Sequence, residues 1–174
     1  MRHTDRSGAA TLPGMDRLVI AAEDPRAVDV RTLLRAHLAV SRAETPIEHS
    51  FALDLDGLLD PAVTFFSARR DGELLGIGAL KELAPDQGEL KSMHTAAAAR
   101  GQGVGRAMVD HLVGVARGRG YARVYLETGT TVAFAAAQAL YARAGFEPCG
   151  PFADYRPSPD NTFMALRLRA EATN

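Results

Sequence analysis

The pattern of hydrophobic and polar positions along the chain predicts a single mixed α+β domain. Short runs rich in β-branched and aromatic residues, typical of strands, are separated by longer stretches whose apolar residues recur at helical spacing. The predicted order is strand, helix, three strands, helix, strand, helix and two strands, with no internal repeat. Strands are expected at 17–22, 63–69, 74–80, 89–95, 121–127, 146–149 and 162–168.

Turn-forming residues set the predicted boundaries of these elements. Asp24, followed by proline, favours the start of the first helix, and Thr45 ends it because a residue before proline avoids helical angles. Gly72, preceded by aspartate, is typical of a tight hairpin. The second helix is expected from about Val104 to Arg117, and Gly145 suits the left-handed C-terminal position of the third.

Length and composition indicate one globular domain. The chain has 174 residues, is 47% hydrophobic and 24% charged, and carries a formal net charge of -1 at pH 7. Without a basic surplus, no nucleic-acid partner is expected. No apolar run reaches the roughly 18 residues that span a bilayer, so no membrane partner is expected. The domain is assigned to 17–170, and 1–16 is interpreted as a flexible extension, with Met1 or Met15 as the natural start.

Cysteine and histidine usage argues against disulfides and metal sites. Cys149 is the only cysteine, which excludes an intrachain disulfide and a multi-cysteine site and favours a cytoplasmic location. The five histidines are scattered without the spacing of metal ligands, so no metal is predicted. His37 lies beside the apolar stripe of the first helix and is interpreted as a structural histidine.

A glycine-rich turn before the second helix is the candidate anion site. Residues 100–105 read Arg-Gly-Gln-Gly-Val-Gly. A P-loop is excluded because no lysine occurs there, and both dinucleotide-binding frames fail because Arg106 and Met108 stand where the last glycine is needed. The remaining pattern, Arg-x-x-Gly-x-Gly, lets phosphate oxygens approach backbone N–H groups at a helix start. A turn that only begins a helix is the alternative, equally supported by this segment alone.

Two motifs resemble the hallmarks of the GNAT superfamily of N-acetyltransferases. The segment 100–105 is similar to that superfamily's acyl-CoA pyrophosphate loop, and 140–146, Leu-Tyr-Ala-Arg-Ala-Gly-Phe, resembles its LYxxxGF motif. The elements between the two motifs, and the element order as a whole, correspond to those of the family. The resemblance implies a mixed, mostly antiparallel central sheet of about seven strands flanked by helices. It also implies a splay between the strands at 89–95 and 123–127.

The resemblance implies acetyl-CoA as the acyl donor and a set of residues that contact it. Pantetheine would lie in the splay against the backbone of Met93 and Thr95, and a backbone N–H near His94 would stabilise the developing oxyanion. The pyrophosphate would lie on the amides of 102–106. The predicted cofactor-binding residues are Met93, His94, Thr95, Arg100, Gly101, Gln102, Gly103, Val104, Gly105 and Arg106.

Tyr141 and Glu89 are the predicted catalytic residues. By resemblance, Tyr141 would protonate the departing thiolate as general acid, with a buried core tyrosine as the alternative. Glu89 shares a strand face with Lys91. It would take the acceptor's proton directly or through water, or else form a structural pair with the lysine. His94 and Glu127 are further candidates for the general base.

The predicted reaction transfers an acetyl group from acetyl-CoA to the amine of a small-molecule acceptor, by direct attack on the thioester. The alternative is a non-catalytic acyl-CoA-binding or sensor domain, and another acyl donor or an O-acceptor also stays open. Arg156 is the candidate for binding an acceptor carboxylate, with a proline-braced surface loop as the alternative. Phe134 departs from the family pattern, which has asparagine there, and this puts one hydrogen bond in doubt. A homodimer is left open because dimers are common in the family.

Overall fold

Seven strands form one sheet in the structure, a computed structural model that describes residues 17–168. The spatial order of the strands is β1-β2-β3-β4-β5-β7-β6, and all neighbours are antiparallel except β4 and β5, which are parallel. The predicted mixed, mostly antiparallel sheet is confirmed. The predicted extension at 1–16 and the end of the predicted domain, 169–170, lie outside the described residues. In chain order the strands are β1 (Val19–Ala22), β2 (Val63–Arg70), β3 (Glu73–Ala84), β4 (Gln87–Thr95), β5 (Arg123–Gly129), β6 (Glu147–Cys149) and β7 (Asn161–Arg167).

Within residues 17–168, four helices flank the sheet: α1 (Val28–Glu44), α2 (Leu55–Leu58), α3 (Val104–Gly118) and α4 (Ala135–Arg143). Single 3-10 turns lie at Ile47–His49, Ala97–Ala99 and Val132–Phe134. Together with the strands they follow the predicted order, with α2 and the 3-10 turns added in connections.

The first helix begins later than predicted. The Asp24 carboxylate accepts a hydrogen bond from the backbone N–H of Arg26 at 2.9 Å, which makes a local turn before α1 and does not cap it. The other boundaries marked by turn residues hold, but β3 runs on to Ala84 instead of ending at 80, and β5 lies at 123–129 instead of 121–127. Thr45 ends α1 in an extended conformation (φ -135°, ψ 130°), and Gly145 follows α4 with φ 99°. The hairpin between β2 and β3 turns at Gly72, whose φ is 81°.

The two faces of the sheet bury separate hydrophobic clusters. On one face, α3 and α4 contribute side chains such as Met108, Leu112 and Tyr141, which pack with Leu126 of β5. On the opposite face, α1 and α2 pack against β2 and β3 in a smaller cluster. Because side chains alternate along a strand, each residue of β4 or β5 is assigned to one of these two faces.

A β-bulge in β4 accompanies the separation of β4 from β5. Ala79 of β3 pairs with Lys91, but Ile77 pairs with His94, so β4 carries one residue more than β3 between these points. Ser92 has a φ of 54°, which is unusual for a non-glycine residue. Pairing of β4 with β5 stops at Leu90 and Leu126, although both strands continue. The opening between 91–95 of β4 and 127–129 of β5 is called the gap, and it confirms the predicted splay.

Candidate active site

The segment 100–105, called the glycine loop, presents a row of free backbone donors beside the gap. Gly101 and Gly103 have φ of 76° and 81°, conformations that glycine adopts without strain. Six consecutive backbone N–H groups, those of residues 101–106, have no acceptor within 17–168. They include the first amides of α3, where the helix dipole favours negative charge. A methyl group added at Gly101 or Gly103 would meet nothing within 4 Å, so an anion has room to approach.

The side chains of Gln102 and of Arg106, which follows the glycine loop, bond to neighbouring groups. The Gln102 amide donates to the carbonyl of Ala98 at 3.2 Å and accepts from Arg70 at 3.1 Å. The Arg106 guanidinium bonds to Asp110 at 3.0 Å and to the carbonyl of Arg143 at 3.3 Å. The side chains of Gln102 and Arg106 are therefore engaged with neighbouring groups, and the backbone N–H groups remain as donors.

The end of β4 places Met93 and His94 on opposite faces of the sheet. Met93 packs on the α3 side, where its Sδ lies 2.8 Å from the position of a Cβ added at Gly78. His94 lies on the α1 side, with its ring centroid 5.3 Å from that of His37. Thr95 lies beside the start of α3, its Oγ1 3.6 Å from a Cβ added at Gly105. These residues border the gap as predicted, and their contact with acetyl-CoA stays a prediction.

Tyr141 approaches the gap from the α3 and α4 side. It is 6% exposed and packs edge to face against Phe146, with ring centroids 6.0 Å apart. Burial, followed by the charge of Glu127, raises the pKa of its hydroxyl, which is therefore protonated at neutral pH. Its hydroxyl bonds to no group in the described part of the chain. A protonated hydroxyl of a buried residue, without a partner among the described residues, is suited to donate a proton to a group that enters the gap.

Glu89 forms a buried cluster with Lys91 and Tyr155 on the α1 side. The side chains of Glu89 and Lys91 are 3% and 8% exposed, and the Lys91 ammonium bonds to Glu89 Oε1 at 3.1 Å. The Tyr155 hydroxyl donates to the same carboxylate oxygen and lies 2.8 Å from Lys91 Nζ. Burial, together with the charge of Glu89, raises the pKa of Tyr155, so its hydroxyl stays protonated.

Glu127 lies on the same face as Glu89, in the open part of the gap. Glu89 pairs with Tyr125 of β5, and Glu127 is two residues further along that strand. Burial raises the pKa of the Glu127 carboxyl, and the hydrogen bond that Asn161 of β7 donates to Glu127 Oε1 opposes this rise. Asn161 also donates to the carbonyl of His49 at 3.0 Å.

The loop between β6 and β7 covers this side through Tyr155 and not through Arg156. The Tyr155 ring packs edge to face against Phe51 and Phe152, with centroids 4.9 and 4.8 Å away. Arg156, the predicted contact for an acceptor carboxylate, is exposed, and its role stays a prediction. Phe134, which stands where the resemblance implies asparagine, lies so close to Gly129 at the end of β5 that an added Cβ would meet its ring at 2.2 Å.

Sequence reasoning missed Tyr155, Asn161 and His49 as residues of this site. A tyrosine next to the chosen arginine was the available signal for Tyr155. Asn161 and His49 lie far apart in the chain and carry no motif, so only the pairing of β7 with β5 brings Asn161 to Glu127.

Residues 17–168 hold neither a metal cluster nor a membrane-spanning helix. There, no group of three or more histidine, cysteine, aspartate or glutamate side chains is arranged to hold a metal ion. Within the same residues, no helix has both the length and the apolar character needed to cross a membrane.

Comparison with known proteins agrees with the motifs. The model of the Acetyltransferase (GNAT) family matches residues 29–146. Over 149 residues the chain is 41% identical to the uncharacterized N-acetyltransferase YsnE of Bacillus subtilis, covering 86% of this chain and 99% of that protein. It is 38% identical over 124 residues to the IAA acetyltransferase of Azospirillum brasilense, covering 71% and 80% of the two chains. A putative acyl-CoA N-acyltransferase from Klebsiella pneumoniae superposes with a TM-score of 0.71 at 28% identity, covering 87% of this chain and 98% of that one.

Proposed function

Because the chain belongs to the acetyltransferase (GNAT) family, we propose that it transfers the acetyl group of acetyl-CoA to the amine of a small-molecule acceptor. Family membership makes the chain an acetyltransferase with acetyl-CoA as donor, so a non-catalytic sensor domain is not retained. The proposal concerns the acceptor, the direct attack and the residues that support both.

The row of free amides at 101–106, beside the gap, is the observation that carries the proposal. A diphosphate needs several donors on one side and a route for its acyl arm. The glycine loop supplies the donors, and the gap supplies an opening between two strands whose unpaired backbone groups can bond an extended amide-bearing chain. This fits the predicted cofactor-binding residues, whose individual contacts are part of the proposal.

Tyr141 is proposed as the general acid. In direct transfer the amine nitrogen forms a bond to the acetyl carbon while the carbon–sulfur bond breaks. The departing sulfur takes the hydroxyl proton of Tyr141, which is then replaced from solvent. The ammonium form of the acceptor must first lose a proton, and Glu89, Glu127 and His94 border the gap where that happens.

An acceptor screen that follows free-thiol release from acetyl-CoA tests the proposal. The panel contains small amines, amino acids, small alcohols and IAA, the last because a relative is named IAA acetyltransferase. The proposal expects amines to be acetylated well above the rate of thioester hydrolysis. Transfer only to hydroxyl groups, or to no small molecule at all, would contradict it.

The cytoplasmic location and a homodimer are finer proposals. The single Cys149 suits a reducing compartment, and subcellular fractionation tests this. Light scattering of the purified protein tests the dimer.

A further inference from the structure

Glu89 and Glu127 point to the same side of the sheet, but they differ in their position relative to the gap and in the groups that bond to their carboxylates. Glu89 stands where β4 and β5 are still paired, and Glu127 is the first residue of β5 beyond the last pair. Only Glu127 therefore lies in the open part of the gap, on the side of the sheet opposite the cluster that contains Tyr141.

Glu89 is poorly suited to accept a proton. Its Oε1 already accepts from the Lys91 ammonium and from the Tyr155 hydroxyl. Protonation would leave the charge of Lys91 uncompensated, although the lysine side chain is only 8% exposed. Removing one charge of a buried ion pair is strongly unfavourable. This arrangement favours a structural Glu89 that holds Lys91 and the loop of Tyr155 in place.

Glu127 has no such constraint. Its hydrogen-bond partner is the neutral amide of Asn161, which donates to Oε1. Its Oε2 accepts from no group among the described residues, and the carboxylate forms no ion pair within them. Uptake of a proton by Glu127 removes a half-buried charge without breaking an ion pair, and burial already raises the pKa of this carboxyl.

We propose that Glu127, and not Glu89, accepts the proton of the acceptor amine, and that Asn161 is the residue that positions its carboxylate. This inference rests on the proposed transfer to an amine. The first proton passes from the ammonium nitrogen to Glu127 Oε2, and the freed lone pair forms the bond to the acetyl carbon as the carbon–sulfur bond breaks. Tyr141 protonates the departing sulfur on the opposite side. The newly bonded nitrogen then loses its second proton to solvent, which balances the proton that Tyr141 regains from solvent. Glu127 afterwards returns its proton to solvent.

Asn161 is held so that its amide keeps one orientation. Its Nδ2 donates to Glu127 and also to the carbonyl of His49, which is 3.0 Å away. Its Oδ1 accepts a hydrogen bond from the Ser158 hydroxyl. The ring of His49 in turn bonds to Asp160 at 2.7 Å. Through Asn161, the carboxylate of Glu127 is therefore connected by hydrogen bonds to the segment after α1 and to the start of β7. Both lie on the α1 side of the sheet, where Glu127 faces.

Several charged or titratable groups face Glu127. Lys91 and Glu89 of β4 act on it with opposite signs, and its charge in turn acts on Tyr141 of α4 and Tyr155 of the β6–β7 loop. Of these, Lys91 and Glu89 neutralise each other as a pair, and both tyrosines remain protonated. The pH dependence of proton acceptance is then expected to follow Glu127 itself.

The test is the pH profile of kcat/KM for the best amine of the screen, in the wild type, Glu127→Gln and Glu89→Gln. We expect Glu127→Gln to lose about 100-fold at pH 7, within the range that a general base contributes, and to recover as the pH approaches the pKa of the amine. Glu89→Gln is expected to keep an acidic limb, displaced to lower pH because the uncompensated charge of Lys91 lowers the pKa of Glu127. Glu82→Gln, on β3, is the matched control for loss of a carboxylate.

The outcomes separate the inference from the proposed function. If the wild type acetylates no amine, the proposed function fails first. The inference is overturned if the wild type is active but Glu127→Gln keeps the acidic limb of the pH profile while Glu89→Gln loses it. Because Glu89→Gln could fail to fold by stranding Lys91, the double variant Glu89→Gln/Lys91→Met is measured beside it.

Asn161→Ala tests the positioning role of Asn161 through the pH of the acidic limb, which a general loss of structure would not shift. The hydrogen bond from Asn161 lowers the pKa of Glu127, so its removal should shift the acidic limb to higher pH. A fall in rate with an unshifted limb would overturn the positioning role of Asn161.

Discussion

The imidazole rings of His37 on α1 and His94 on β4 meet edge to face, with centroids 5.3 Å apart and an interplanar angle of 69°. The bulge at Ser92 makes this contact possible because the extra residue turns His94 toward α1. Within 17–168 neither ring forms an ion pair with a carboxylate. Burial, followed by the charges of His94 and Lys91, lowers the pKa of His37 to about 4, and burial also lowers the pKa of His94.

Stability should therefore fall in mildly acidic solution. His37 has a pKa of about 4 in the native state against 6.5 for an unperturbed histidine, so the unfolded chain binds the proton first. The contribution is fully present above pH 6.5 and is lost as the pH falls toward 4, by up to about 3 kcal/mol. Urea unfolding at pH 7.5 and pH 5 measures it. In His37→Leu the loss between these pH values should be smaller, and an equal loss would contradict the assignment.

Replacing Tyr141 with phenylalanine should lower kcat for acetyl transfer by about 100-fold or more, while KM for acetyl-CoA stays within about twofold. The ring keeps its packing against Phe146, so only the proton donor is lost. Tyr121→Phe is the matched control, since Tyr121 is likewise a buried residue and its hydroxyl bonds to Glu82 at 3.0 Å, away from the gap. Equal turnover of the Tyr141 variant and the wild type would remove the role of general acid.

Replacing Gly103 with alanine should weaken acetyl-CoA binding by about tenfold, close to 1.4 kcal/mol. The φ of 81° strains any residue with a Cβ, and relief of that strain moves the neighbouring amides. Gly72→Ala is the matched control because Gly72 has the same φ and equally open surroundings, in a hairpin that lacks the free amides. Calorimetry measures the affinity of each variant for CoA. Equal affinities would show that the loop geometry is not what holds the ligand.

Local signals in the sequence were sufficient for the element order and for the glycine loop. Periodicity separates strands from helices, and glycine or proline marks Thr45, Gly72 and Gly145, where the backbone must change direction. The start of α1 was misplaced because Asp24 satisfies a nearby N–H in its own turn, an alternative that a capping pattern does not distinguish.

The candidate site was predictable only where a motif carries it. Tyr141 and the glycine loop lie in motifs, but the bulge at Ser92 has no glycine to mark it and depends on how β3 pairs with β4. The choice between Glu89 and Glu127 depends on partners from distant segments. A strand pattern gives the face of each carboxylate, but not the fact that Lys91 points back to Glu89 while Asn161 arrives from β7.

The buried pair of Glu89 and Lys91 predicts an asymmetric response to mutation. Lys91→Met should lower the free energy of unfolding by about 3–5 kcal/mol because it leaves the Glu89 carboxylate buried without its ammonium partner. The Tyr155 hydroxyl remains as a single donor. The loss should shrink as the pH falls, since the stranded carboxyl then takes up a proton.

Lys81→Met, which removes the only other lysine of the chain, is the matched control. Adding Glu89→Gln to Lys91→Met should restore most of the stability in urea unfolding, because no unpaired charge then remains. If the double variant is as unstable as the single one, the loss comes from packing of the lysine stem and not from the stranded charge.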